Sequence, residues 1–85
     1  MITYKHIRRA RLMRDISIKE MAIKLNIDES TYSRIERGAI TISAQRLNEI
    51  LVVFNMNYDF LLNIETILFE MGNGNGMNTY TDINM

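Results

Sequence analysis

Five times along this chain a residue able to cap a helix is preceded by an apolar residue and followed four positions later by another. The caps are Thr3, Ser17, Asp28, Ser43 and Asn57, and the flanking pairs are Ile2 and Ile7, Ile16 and Met21, Ile27 and Tyr32, Ile42 and Leu47, and Met56 and Leu61. A cap whose oxygen meets an orphan amide, with a hydrophobic staple across the first turn, fixes where a helix starts and the angle at which the chain enters it. Five helices are therefore expected. Proline is absent, and no stretch alternates apolar and polar residues long enough for a strand. The fold class expected is all-α.

The stretch from Ser17 to Gly38, SIKEMAIKLNIDESTYSRIERG, organises the rest. Ser17 with Glu20 three residues on forms a capping box, and Met21, Ala22 and Leu25 share one face of the helix that follows. Asn26 can take the left-handed conformation that ends a helix, and Asp28 can cap the next one, over about Glu29 to Arg37. That second helix has Tyr32 and Ile35 inward, with Ile27 before its cap. Glu29, Ser30, Ser33, Arg34 and Arg37 are left facing out. Two helices crossing steeply, the second exposing short polar side chains and an arginine, have the geometry of a helix-turn-helix reader of DNA.

At this point the chain resembles the phage-repressor, Cro/cI or Xre-type, helix-turn-helix family. The residues that carry the likeness are Ser17, Met21-Ala22, Leu25, Ile27, Tyr32-Ser33-Arg34-Ile35-Glu36 and Gly38, and it extends from about Ile7 to Leu62. The resemblance implies a compact five-helix λ-repressor-like domain whose third helix enters the major groove. It implies base contacts from Glu29, Ser30 and Arg34, with the planar fork of Arg34 suited to guanine O6 and N7 together. Glu29 could accept from cytosine N4, or serve only as a favourable charge at a helix N-terminus. Ser17, Ile18 and Lys19 at the start of the second helix, with Thr31, Arg37, Gly38 and Arg46, are the expected phosphate contacts. The family commonly has a glutamine where this chain has Ile18, so that side-chain contact is lost. An arginine at the position of Arg11 pairs, in the family, with the glutamate matching Glu36, tying the first helix to the end of the recognition helix.

The net charge is zero, but it is unevenly spread. Residues 1–46 carry all ten Lys and Arg against five acids, and residues 47–85 carry five acids and no basic residue. A basic end and an acidic end suit a small module that presents one face to phosphates. With no cysteine, disulfides, thiolate metal sites and zinc fingers are excluded. The basic N-terminal segment is neither a signal peptide nor a membrane span, and a cytoplasmic location is expected. No enzyme is indicated. Ser30, Thr31 and Ser33 have no histidine nearby to act as base, His6 is alone, and Gly72, Gly74 and Gly76 follow no strand that would make them a phosphate loop. No cofactor, metal or small-molecule ligand is expected.

Beyond the resembled domain, residues 1–62, the segment 63–71 continues at helical spacing with Ile64, Ile67, Leu68 and Met71 apolar. It reads as a helical extension that either packs back on its own domain or makes a dimer contact. Residues 72–85, rich in Gly and Asn, read as a flexible tail. The expected partners are double-stranded DNA and a second copy of the chain, the function being that of a transcriptional regulator on an inverted repeat. The alternative is a protein-interaction module on the same fold. Salt dependence of binding separates the two.

Overall fold

In the computed structural model the described residues are 1–73, with side chains described to Phe69. Every regular element among them is a helix: α1 Tyr4–Met13, α2 Ile18–Leu25, α3 Glu29–Glu36, α4 Ala44–Phe54, α5 Tyr58–Leu62 and α6 Ile64–Asn73. Gly72 and Asn73, expected to belong to the tail, are part of α6. Residues 74–85 lie outside the described residues.

The caps explain the helix starts. Ser17 Oγ accepts from the Glu20 amide at 3.0 Å, Ser43 Oγ from the Arg46 amide at 3.1 Å, and Asn57 Oδ1 from the Phe60 amide at 2.8 Å. At α1 the roles are reversed: Nδ1 of His6 accepts from the Thr3 backbone amide at 2.9 Å. Asp28 makes no side-chain cap bond, so α3 rests on its staple and on the negative charges of Asp28 and Glu29 at its positive end.

The helix ends are equally regular. Asp15, Asn26, Gly38 and Asn55 each have positive φ, and the residue after each returns an amide to the last turn. Ile16 bonds to Arg11 O, Ile27 to Ala22 O, Ala39 to Arg34 O and Met56 to Leu51 O, at 2.9 to 3.2 Å. This is the Schellman closure, in which a left-handed residue lets the chain turn back onto its own carbonyls. Asn26 was legible as such a stop. Asp15 was not, although aspartate tolerates the left-handed region better than most residues. Ile16, Ile27 and Met56 thus do two things, closing one helix and stapling the next.

The core gathers Ile7 and Ala10 of α1, Met21, Ala22 and Leu25 of α2, Tyr32 and Ile35 of α3, Ile50, Leu51 and Phe54 of α4, and Leu61 of α5. α2 packs on α3 and α4, while α1 spans α3, α5 and α6. Arg14 at the end of α1 donates from Nε to the Phe54 carbonyl at 2.7 Å. A guanidinium there meets the orphan carbonyls and negative end of α4.

One expected surface is corrected by the packing. Ile64, expected either to pack back on its own domain or to join a dimer contact, is 0% exposed. α6 lies against α1, and Arg9 pairs with Glu65 beside it, so the first turn of α6 is consumed within the chain. Ile67 and Leu68 are half-buried, and Met71 lies beyond the described side chains.

Candidate nucleic-acid interface

The outer face of α3 is held from behind by a buried polar cluster. Arg11 and Glu36 are 8% and 6% exposed. Arg11 donates from Nε to Glu36 Oε2 at 2.6 Å and from Nη2 to Oε1 at 3.0 Å, a fork-on-carboxylate pair. Its third group, Nη1, donates to the Ile16 carbonyl at 2.9 Å. Tyr32, one turn before Glu36, donates its hydroxyl to the same Oε2. The hydrogen bond to Glu36 raises the Arg11 pKa above its ordinary value. Burial, and next the hydrogen bond to Glu36, push the Tyr32 phenol well above the usual tyrosine range. Arg11 and Tyr32 thus keep the protons they donate, and the cluster has bonded partners where a lone buried charge would be costly.

Sequence reasoning had placed Tyr32 inward but missed its hydroxyl. The available signal was the four-residue spacing to Glu36, which puts both on one side of a helix, combined with the need of a buried phenol for a partner.

With its inner side fixed, α3 presents Glu29, Ser30 and Arg34 to solvent, with Arg37 exposed at its C-terminal cap, while Thr31 and Ser33 are half-buried beside them. At 1.5 Å per residue this eight-residue helix is about 12 Å long, close to the width of a B-DNA major groove. Among the described residues, Arg34 and Arg37 have no carboxylate within ion-pairing distance.

The other expected contacts fare unequally. Lys19 is exposed, and Ser17 is exposed although its hydroxyl is engaged at the cap. The Ile18 side chain packs against the core, so it cannot serve as a polar contact and only its backbone is left for that role. Arg46 is partly committed, donating from Nη1 to Glu49 Oε1 at 2.8 Å. Gly38 has φ of +74°, and a Cβ there would lie 2.7 Å from two ring atoms of Tyr4, so α1 approaches the end of α3 where a side chain would obstruct it.

The ten cations therefore divide. Arg9, Arg11, Arg14 and Arg46 are bonded to acceptors within the protein. Lys5, Arg8, Lys19, Lys24, Arg34 and Arg37 have no ion-pair partner among the described residues.

No group of three or more His, Cys, Asp or Glu able to hold a metal ion occurs among the described residues, and no helix among them is long and apolar enough to cross a membrane. A surface depression of about 520 Å³ is lined by Asn48, Leu51, Val52, Asn55, Met56 and Asn57 of α4 and the turn after it, and by no residue of α3.

No curated protein and no solved structure matched the chain. A helix-turn-helix family model of the Xre and λ-repressor-like type matches residues 7–61, which takes in the buried cluster, both helices of the reader and the core of α4 and α5, and the chain belongs to that family.

Proposed function

We propose that this protein is a sequence-specific DNA-binding transcriptional regulator that lays α3 in the major groove and acts as a homodimer on an inverted repeat. The observation that carries the reading is the contrast between the two sides of α3. Its inner side is locked by the cluster of Arg11, Tyr32 and Glu36, while its outer side offers unpaired polar and cationic groups. Membership of the helix-turn-helix family supports the same reading. Arg34 makes a bidentate contact to a guanine edge, Ser30 hydrogen-bonds a neighbouring base, and Glu29 accepts from a cytosine amino group or only favours the helix start. Lys19, Thr31, Arg37 and the backbone at Ser17, Ile18 and Gly38 hold the sugar-phosphate rim, with Arg46 contributing once it leaves Glu49. Two copies set their half-sites about 34 Å apart, one helical turn. Ile67, Leu68 and Met71 of α6 form the contact between copies, without Ile64.

Selection of genomic fragments with the purified protein, followed by binding to the enriched site at several salt concentrations, tests this. Enrichment of a palindromic site, with affinity falling steeply as salt rises, supports the reading. A second reading, a protein-interaction module, is favoured by one observation: Ile23 and Val52 are 69% and 80% exposed. It prevails if no fragment is enriched and the protein instead binds a partner with a shallow salt slope.

A further inference from the structure

We infer that Lys5 and Arg8 of α1 extend the DNA contact beyond the helix-turn-helix, gripping backbone phosphates where the C-terminal end of α3 leaves the groove. The inference rests on the DNA-binding reading above.

Lys5 and Arg8 line a shallow depression of about 220 Å³ together with Tyr4, Arg9 and Glu36. Of the charged groups there, Glu36 is bonded to Arg11 and Tyr32, and Arg9 is bonded to Glu65. Lys5 and Arg8 are exposed and have no carboxylate in ion-pairing distance among the described residues. The depression thus keeps two uncompensated cations, one turn apart on the same side of α1. Its position is set by Tyr4, whose ring lies directly against Gly38. A helix about as long as the groove is wide must bring its end to the rim, where the phosphates run. The cations beside Tyr4 therefore continue the strip that Arg37 begins. A phosphate offers acceptors to both at once, and an extended backbone matches a row of cations along a helix better than a small anion does.

The test compares wild type with Lys5→Gln/Arg8→Gln and Lys5→Arg/Arg8→Lys on the selected site and on random DNA, with Lys24→Gln as a control. Lys24 lies on α2 beside Glu49, Val52 and Val53, in a depression that includes neither Tyr4 nor Gly38. Each phosphate contact contributes about 0.9 to the slope of log affinity against log salt, so the double Gln variant should have a slope lower by about 1.8. Its deficit against wild type should then be about twelvefold smaller at 200 mM salt than at 50 mM. The loss should be the same on both DNAs, because phosphate contacts do not read sequence. The charge-preserving variant and Lys24→Gln should keep the wild-type slope. A double Gln variant with an unchanged slope, or a charge-preserving variant that loses it as well, overturns the inference while leaving α3 as the reader. Wild type that binds no DNA overturns the functional reading itself, and this inference with it.

Discussion

The helix-turn-helix pair, α2 and α3, and the last helix, α6, are both short amphipathic segments, yet they meet the rest of the chain differently. α2 and α3 bury Met21, Ala22, Leu25, Tyr32 and Ile35 in a shared core, and their exposed side is polar. α6 buries Ile64 completely at its first residue but leaves Ile67 and Leu68 half-covered further along. Apolar periodicity says that a face will be covered; it does not say by what. In the pair, the turn of Asn26 and Asp28 dictates the neighbour. For α6 the neighbour is α1, more than fifty residues earlier in the chain, and no local signal points to it.

That contrast can be broken first at the buried cluster. Glu36→Ala should destabilise the protein by about 3 to 5 kcal/mol, since it leaves the Arg11 charge and the Tyr32 hydroxyl buried without their acceptor. A double-mutant cycle with Arg11→Ala, followed by chemical denaturation, should return a large coupling energy; additive losses would show that the pair is not a unit. The corresponding change in α6 is Ile64→Ala, expected to reduce stability by about 2 to 5 kcal/mol as a core truncation. Sedimentation of that variant should match wild type. Leu68→Asp should do the reverse, weakening self-association with little change in melting, and a monomeric wild type would remove α6 from the proposed dimer.

Next in size is Arg34→Ala, which should lower specific affinity by about 1 to 3 kcal/mol and relax preference at one base pair. Its melting temperature should be that of wild type, because Arg34 is exposed.

The phenol of Tyr32 gives the pair a pH dependence. The Tyr32 pKa is raised in the folded chain, whereas in the unfolded chain it sits near 10. Below about pH 10 both states hold the proton and the contribution is complete. Above it the unfolded chain releases the proton and the folded chain does not, so stability should fall by up to about 1.4 kcal/mol per pH unit. Denaturant titrations at rising pH should show this loss in wild type and not in Tyr32→Phe. The smallest effect is expected at the helix stops. Asn55→Ala should destabilise by about 1 kcal/mol, because its φ of 53° is left-handed, and Asn55→Gly should be close to neutral.

Much of this architecture was readable in advance because its determinants are local. Ser17, Ser43 and Asn57 announce helix starts within three residues, and Asn26 announces a stop. Arg11 and Glu36 were legible only through resemblance, for nothing within 25 residues of chain ties one to the other. The reach of Arg14 to the Phe54 carbonyl and the bond from Arg9 to Glu65 were not legible. Both depend on where α1 comes to lie after the other helices have packed. Ile18 was read from its position at a helix start, whereas its burial follows from the core beneath it.

The double duty of Ile16, Ile27 and Met56 bears on which length changes the chain could accept. Each of these turns has its stop, its closing apolar residue and its next cap in immediate succession, with no residue to spare. One inserted residue would separate closure from staple, or else rotate the following helix by about 100° and turn Arg34 away from the side it now faces. The passage from Gly38 to Ser43 is built differently, with Ile40 and Thr41 exposed between the closing residue Ala39 and the staple residue Ile42. Insertions and deletions among relatives of this protein should therefore collect between α3 and α4, where the chain can lengthen without disturbing how α3 is aimed.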